Sequence, residues 1–196
     1  EILLRRVEER AKEYIALAAP DARVYIRSGM SSKEIHYKAL HDKLSYVPIR
    51  YYWRMEINLT EAPQPNALPN GLEFRPFIKE EHARLVWEAE NESFRDHWGS
   101  HESKFEEWSQ RKLERPEFDP TLWFIVWDGD QIAGFSQNRY INEMGWIGTL
   151  GVRRAWRKKG LGLALLTHSF AEFHKRNTTK IGLGVDAANP TGATRL

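Results

Sequence analysis

Two glycines and three cations stand together in the run Arg157-Lys158-Lys159-Gly160-Leu161-Gly162-Leu163-Ala164. The preceding residues, Trp146 to Val152, have strand character. Leu163, Leu166, Phe170 and Phe173 then recur at helical spacing. The run therefore falls where a strand hands over to a helix. The first N–H groups of a helix lack internal partners, and the helix dipole places partial positive charge there. Gly160 and Gly162 carry no Cβ to hold a ligand away from the backbone. With the charges of Arg157, Lys158 and Lys159 added, the spacing points to a pyrophosphate cradle. A solvated basic helix start with packing glycines is the competing description. It explains less, because glycine in a first turn costs roughly 1 kcal/mol of helix propensity.

Two commoner phosphate motifs fit worse. A Walker loop needs Gly-Lys-Ser/Thr four residues after an earlier glycine, and that string is absent. A dinucleotide fingerprint wants a small residue where Leu165 stands and a glycine directly ending the strand. Arg153 to Lys159 intervenes instead. Asp186 lies at about the spacing of a ribose-binding acid, which keeps a nicotinamide-dependent enzyme open as a weaker reading.

The string Thr149-Leu150-Gly151-Val152-Arg153-Arg154-Ala155-Trp156-Arg157-Lys158-Lys159-Gly160-Leu161-Gly162 resembles the acetyl-CoA-binding motif of the GNAT N-acetyltransferase superfamily. Downstream, Ile181 to Val185 resembles the next strand of that fold. Asp186-Ala187-Ala188-Asn189-Pro190-Thr191-Gly192-Ala193 resembles the loop that follows it. The resemblance implies an α/β chain with a mixed central sheet flanked by helices, and acetyl-CoA as cofactor. It implies that the main chain of Leu150, Gly151 and Val152 pairs with the pantetheine arm. The N–H groups of Lys158, Lys159, Gly160, Leu161, Gly162 and Leu163, with Arg157 and Ala164 flanking, would hold the pyrophosphate. Asn189 matches an asparagine that faces the cofactor. Ala155 stands where many members have proline. Members usually continue past the last helix to a tyrosine that protonates the departing thiolate, whereas this sequence stops at Leu196.

Acetylation of an amine needs a proton acceptor and a donor to the carbonyl oxygen. By family analogy the Val152 N–H is the oxyanion donor. His97 titrates near neutrality, and Asp96 beside it can attract a cationic amine. A surface histidine at a helix end describes the same pair equally well. Glu143, ahead of the cofactor strand, can act through water or be a solvated turn residue. His168 and His174 stand six apart, a poor metal spacing, so no metal is expected. The resemblance implies a small-molecule or peptide amine as acceptor. A non-catalytic CoA-binding module is the alternative.

These residues need a scaffold to position them. Thr60 to Asn70 holds Pro63, Pro65 and Pro69 among small polar residues and reads as a linker. It divides the sequence into 1–60, a linker at 61–70, and 71–196. In the last part, strands are expected at Leu72–Phe77, Leu122–Trp127, Gln131–Tyr140, Trp146–Val152 and Ile181–Val185, with a hairpin at Asp128-Gly129. Helices are expected at Lys79–Phe94 and Glu102–Leu113, and after Gly160. In the first part, Leu4, Val7, Ala11, Ile15 and Ala18 form an apolar helix stripe. Val24–Ile26 reads as a strand. Ser31 and Glu34 suggest a capping box before a helix carrying Ile35, Ala39 and Leu44. Val47–Leu59 reads as strand. That order matches the back half of the same fold, with Leu3-Leu4 aligned to Leu165-Leu166 and Ala39-Leu40 to Arg195-Leu196. It suggests a tandem repeat with a partial, degenerate first domain and a second domain lacking its final strands, similar to the two-domain acetyltransferases. The strand at Ile181 then needs a neighbour. Residues beyond this sequence are the expected source, residues 1–60 the other.

The 196 residues are 41% apolar with eight tryptophans, ample for a packed core. There is no cysteine, which excludes disulfides, thiol catalysis and Cys-based zinc sites. No run approaches the ~20 apolar residues of a membrane span. A net charge of +2 argues against a general nucleic-acid binder. A cytoplasmic enzyme is the default, and a homodimer stays open.

Overall fold

The computed structural model describes residues 1–189 and 192. Pro190, Thr191 and Ala193 of the expected loop, and the aligned pair Arg195-Leu196, lie outside the described residues. The chain forms two compact units, Glu1–Ile49 and Arg50–Leu196.

In the first unit, α1 spans Ile2–Ile15 and α2 spans Ile35–Lys43. The α1 stripe is shallow: Leu4, Ala11 and Ala18 are half-buried, while Val7 and Ile15 are exposed. Tyr46 donates its hydroxyl to Glu8 (3.1 Å), and Lys43 pairs with Glu1 (2.7 Å). His41 is buried between the rings of Tyr37 and Tyr46. The strand expected at Val24–Ile26 does not form. No second strand exists within this unit to receive its N–H groups, and an isolated extended run gains nothing from its propensity. Only half of the expected capping box is built. Ser31 donates its N–H to the Glu34 carboxylate (2.7 Å), but the Ser31 hydroxyl accepts from Lys33, and the helix starts one residue after Glu34.

The second unit holds a six-stranded sheet. Its strands are β1 (Tyr52–Asn58), β2 (Glu73–Pro76), β3 (Trp123–Asp128), β4 (Gln131–Ile141), β5 (Met144–Val152) and β6 (Lys180–Asp186), in the spatial order β1-β6-β5-β4-β3-β2. All neighbours are antiparallel except β5 and β6. That parallel pair requires a crossover. The helix α5 (Leu161–Lys175) supplies it. Two further helices, α3 (Lys79–Phe94) and α4 (Phe105–Leu113), lie between β2 and β3 in the chain.

Strand alternation sorts the core into two layers. Phe135 packs with Val86, Ala89 and Trp108 of α3 and α4. On the other face a Cβ at Gly134 would meet Leu161 and Leu165 of α5 at 3.1 Å. Glu80 and Glu81 favour the positive N-terminus of α3, and Arg111 and Lys112 the C-terminus of α4. Helix α4 starts at Phe105 rather than at Glu102. Ser103 is tied to α3 instead, its N–H donating to Asn91 (3.3 Å) and its carbonyl accepting from Trp87 Nε1 (2.9 Å).

The expected division at residue 60 moves. Residues 52–58 pair with β6 from Tyr52↔Asp186 to Asn58↔Lys180, so they belong to the second unit. This chain thus fills the edge for which residues outside it were expected. Residues 61–70 carry neither helix nor strand. They are tethered to α5 all the same. Asn66 donates its N–H to Thr167 Oγ1 (2.9 Å), and Leu68 packs on the cluster of Leu161 and Leu165.

The glycines of the sheet differ in what they tolerate. A Cβ at Gly151 would stand 2.5 Å from the fully buried Phe135 ring, whereas at Gly184 the nearest atom is 3.8 Å away. Gly151→Ala is expected to destabilise the fold by about 1–3 kcal/mol through overpacking. Gly184→Ala should leave stability unchanged or raise it. Urea denaturation of both variants checks the difference, and equal midpoints would contradict the packing described.

Candidate active site

The site begins with a broken ladder. Strands β5 and β6 pair only at Gly145↔Ile181, Trp146↔Gly182 and Ile147↔Leu183. The register of β4 and β5 shifts just beyond, where Gln137 pairs with Thr149 and Asn138 with Ile147, leaving Gly148 as the extra residue. A bulge bends and twists its strand. From Gly148 to Val152, β5 follows β4 and leaves β6 behind, while β6 continues to Asp186 against β1. A gap opens between them.

Successive N–H groups of a strand point to opposite sides. Arg153 donates its N–H to the Ala133 carbonyl on the β4 side (3.0 Å). The N–H groups of Val152, and of Leu150 two residues earlier, therefore face the gap. The Val152 carbonyl on that side accepts from Arg157 Nε (3.1 Å).

Beyond β5, a short 3₁₀ turn at Arg154–Trp156 leads to the helix start. Lys158 has φ 61° and Gly160 φ 81°, both left-handed. Alternation of this kind turns successive N–H groups toward one point. None of the six N–H groups from Lys158 to Leu163 has a hydrogen-bond partner among the described residues. Lys158, Lys159 and Gly160 are exposed. A Cβ on Gly160 would meet nothing within 4 Å, so its backbone conformation, and not packing, requires glycine there. These donors and the two lysines suit a diphosphate.

The mouth of the gap is clamped by charge. Arg153 donates to Glu92 (2.6 Å) and Arg157 Nη2 to the Ser93 carbonyl (2.9 Å), tying the end of α3 to the end of β5. Asp96 accepts two bonds from Arg154 (2.5 and 2.6 Å) and lies 3.9 Å from Arg157. Its carboxylate is thus already paired with arginine. Across the mouth, Arg50 donates twice to Asp186 (2.9 and 2.7 Å) and stacks over Trp98. Burial raises the Asp186 carboxyl, but the Arg50 hydrogen bonds, the Ala188 N–H and the charges of Arg50 and His97 outweigh it and hold it below its ordinary value. Asp186 is occupied, which removes the ribose acid from the nicotinamide reading.

His97 is close enough to Asp186 on one side and Arg157 on the other to feel both charges. Burial lowers its pKa, Asp186 and Asp96 partly offset this, and Arg157 and Arg50 add to it. The imidazole is accordingly neutral at pH 7. Glu143 is elsewhere. It forms the exposed β4–β5 turn with Asn142, both at positive φ, at the opposite end of β5 from Val152. Nine residues of strand separate them, roughly 30 Å. Asn189 follows β6 and donates its N–H to the Asp186 carbonyl (3.0 Å). His168 stacks on Phe74 and meets Phe124 edge to face. Among the described residues no group of three or more His, Asp or Glu side chains is disposed to hold a metal, and no helix is long and apolar enough to cross a membrane.

One polar cluster escapes sequence reasoning. Lys112 Nζ donates to Gln137 Oε1 and Thr149 Oγ1 (both 2.7 Å) and lies 3.4 Å from Glu90. The Glu90 carboxylate accepts from Trp108 Nε1 (2.9 Å) and Gln137 Nε2 (2.8 Å). Burial lowers the Lys112 pKa, and Glu90 partly restores it. Five residues from α3, α4, β4 and β5 meet here, up to 59 positions apart (149 − 90), so no local pattern announces them.

This sheet, gap and glycine-rich helix start make up the fold of the acyl-CoA-dependent N-acyltransferases. Residues 83–195 match the acetyltransferase (GNAT) family, and the chain belongs to it. A mycothiol acetyltransferase of Thermobispora bispora is 31% identical over 156 residues, covering 75% of this chain and 52% of that protein. The chain spans about half the length of the curated relatives it matches. The crystal structure of a GCN5-related N-acetyltransferase from Sphaerobacter thermophilus is 32% identical with a TM-score of 0.75, covering 98% of this chain and 60% of that one. A tandem GNAT protein from the clavulanic acid biosynthesis pathway shares the fold at 14% identity and a TM-score of 0.61, covering 91% of this chain and 56% of that one.

Removing Glu90 leaves a buried ammonium and two donors unpaired. Glu90→Ala is expected to lose about 3–5 kcal/mol of stability. Glu90→Gln, which still accepts hydrogen bonds, should lose less, as read from urea midpoints. A Glu90→Ala variant as stable as the parent would show that the cluster contributes nothing to folding.

Proposed function

We propose that this chain is the catalytic domain of an N-acetyltransferase that moves an acetyl group from acetyl-CoA to a primary amine by direct attack. The observation that carries the reading is the half-unpaired edge of β5 ending at six unpaired N–H groups. Acetyl-CoA supplies the thioester carbonyl. The N–H groups and lysines from Lys158 to Leu163 bind the diphosphate. The open edge from Leu150 to Val152 takes the amide-bearing arm as a strand would. The N–H of Val152, or of Leu150 for a carbonyl reaching further in, steadies negative charge on the carbonyl oxygen. His97, neutral at pH 7, accepts the amine proton, and the C–S bond of the thioester breaks as the carbonyl re-forms, so that CoA leaves as its thiolate. Arg50 and Asp186 hold the far side of the mouth in place. The naming of a similar structure as an N-acetyltransferase supports a nitrogen acceptor. Glu1–Ile49 would be the remnant of a preceding domain, with the helices of that reading but not its strand.

Gly160→Asp puts a carboxylate among the donors and a Cβ at positive φ. Calorimetry should show acetyl-CoA affinity falling about tenfold or more, some 1.4 kcal/mol. Lys175→Asp, late in α5 and exposed, should change it little. Equal losses would reduce the cradle to general electrostatics, and NAD binding in place of acetyl-CoA would end the reading. Binding without turnover would instead make the domain a non-catalytic CoA module.

The His97 role has a pH signature. A base with a lowered pKa stays neutral through pH 7 and is protonated only below its ordinary 6.5. The kcat/KM for an amine should therefore show no loss assignable to His97 until the pH falls below that value. His97→Gln should lower the plateau by about 10²-fold or more and remove the acid limb. An unchanged acid limb in the variant would assign the proton to another group.

A further inference from the structure

The α3/α4 face of the sheet carries a pair of cations that the scheme above leaves unused. Arg139 of β4 projects to this face beside the bulge. A Cβ on Gly148 would stand 2.6 Å from Arg139 Nη1, so the glycine makes room for the guanidinium. Among the described residues Arg139 makes no side-chain hydrogen bond and has no carboxylate within 4 Å; Glu117 acts on it only at longer range. By contrast Arg153, Arg154, Arg157 and Arg176 each meet a carboxylate within 4 Å. Arg115, just past α4, opposes its charge more than Glu117 favours it, and donates only Nε, to the Arg111 carbonyl (2.7 Å). The two arginines line one groove with Glu117 at its exposed rim, and Lys112, Gln137 and Trp123 continue it inward. Half-buried guanidinium groups facing each other repel, and burial works against their charge. Two planar forks at one groove can instead grip an oxyanion from both sides.

The groove lies beside the start of the gap. Gly148 precedes Leu150 by two residues and Val152 by four, roughly 7 to 13 Å along the strand. An acceptor whose nitrogen lies at the gap has its remaining atoms within reach of Arg139. We propose that Arg139 and Arg115 form an anion subsite, so that the amine acetylated here carries a carboxylate or a phosphate group a few bonds away; this rests on the acetyl-transfer reading and narrows its substrate class. Arg139 is a specificity residue on this account and takes no part in the proton transfer. Its binding is bidentate and directional, so lysine cannot fully replace it.

Two measurements on the full chain test this. In the first, arginine side-chain Nε–H signals are followed by ¹⁵N NMR with CoA present to fill the cradle, and the probes are inorganic phosphate and acetate. Arg139→Gln and Arg115→Gln assign the two signals. The expected result is a saturable shift of the Arg139 signal, weakened about tenfold, ~1.4 kcal/mol, in Arg115→Gln. Response to phosphate alone identifies a phosphoryl acceptor, and response to acetate alone a carboxylate. An Arg139 signal unmoved by either overturns the proposal. In the second, acetyl transfer is compared for aminopropyl phosphate, γ-aminobutyrate and butylamine. At least one anionic amine should have a KM about tenfold or more below that of butylamine, and Arg139→Gln should erase the preference without changing kcat for butylamine or the affinity for acetyl-CoA. Arg139→Lys should retain part of it. Equal KM values overturn the subsite while leaving acetyl transfer standing. A saturable Arg139 shift in a chain that fails to bind CoA keeps the anion subsite and removes the transfer reading.

Discussion

The structure turns on an incomplete parallel ladder. Three residue pairs join β5 to β6, and then the bulge at Gly148 sends the strands apart. Separated strands in a folded core are costly, because each exposes backbone N–H and C=O groups that want partners. The remainder of the second unit holds this opening in place. On the outer side β1 pairs along the whole of β6, so that β6 keeps its course without β5. On the inner side β4 does the same for β5. Each strand of the gap is splinted by one complete antiparallel neighbour, and the unpaired edges are left for a ligand.

Charge does the work at the mouth that hydrogen-bonded pairing does at the base. Glu92 and Asp96 of the α3 end receive Arg153, Arg154 and Arg157 from the segment after β5, while Arg50 closes on Asp186 at the end of β6. The Glu92–Arg153 and Asp186–Arg50 pairs are partly buried and screened less than the exposed Asp96–Arg154 pair. They fix the turn that presents the unpaired N–H groups of Lys158 to Leu163. The clamp also gives Asp96, attractive in sequence as an amine-binding acid, two arginine neighbours that the sequence alone does not announce.

What the sequence reveals and what it hides follow from range. The cradle is local: its glycines, cations and flanking periodicities lie within a few turns, and helix α3 runs from Lys79 to Phe94 as its apolar spacing requires. The gap is legible only through family likeness, since nothing in Gly148 or Leu183 states that they do not pair. The pairing of residues 52–58 with β6 joins positions more than 120 apart, from Asn58↔Lys180 onward. A proline-rich segment following β1 invited the boundary at residue 60, although that segment only carries the chain across α5 to the opposite edge of the sheet. Lys112, Glu90 and Gln137 are ordinary surface-type residues in sequence, and only the close approach of α3, α4 and β4 makes them a buried network. Arg139 is hidden for the same reason, because its distinguishing property is the carboxylate it lacks.

The orientation of α5 imposes one further requirement. Its N-terminus forms the cradle, so a rotation about its axis would turn the donors away. Apolar packing alone specifies such a rotation loosely, because leucines slide on one another at small cost. A buried polar chain supplies the missing direction. Ser169 of α5 donates to the Leu165 carbonyl (2.8 Å) or to Ser136 of β4 (3.1 Å), Asn138 donates to Ser169 (3.2 Å), and Ser136 donates to Asn138 (2.8 Å). All three side chains are almost wholly buried. Slippage of the helix would strand these groups in an apolar layer, a loss of roughly 1–3 kcal/mol for each. The network sits two turns along α5 from Leu161, and next to the bulge that opens the gap, since Asn138 pairs with Ile147. One set of hydrogen bonds therefore registers α5, with the unpaired N–H groups at its start, against the strands beside the gap, and the spacing between the two is set there.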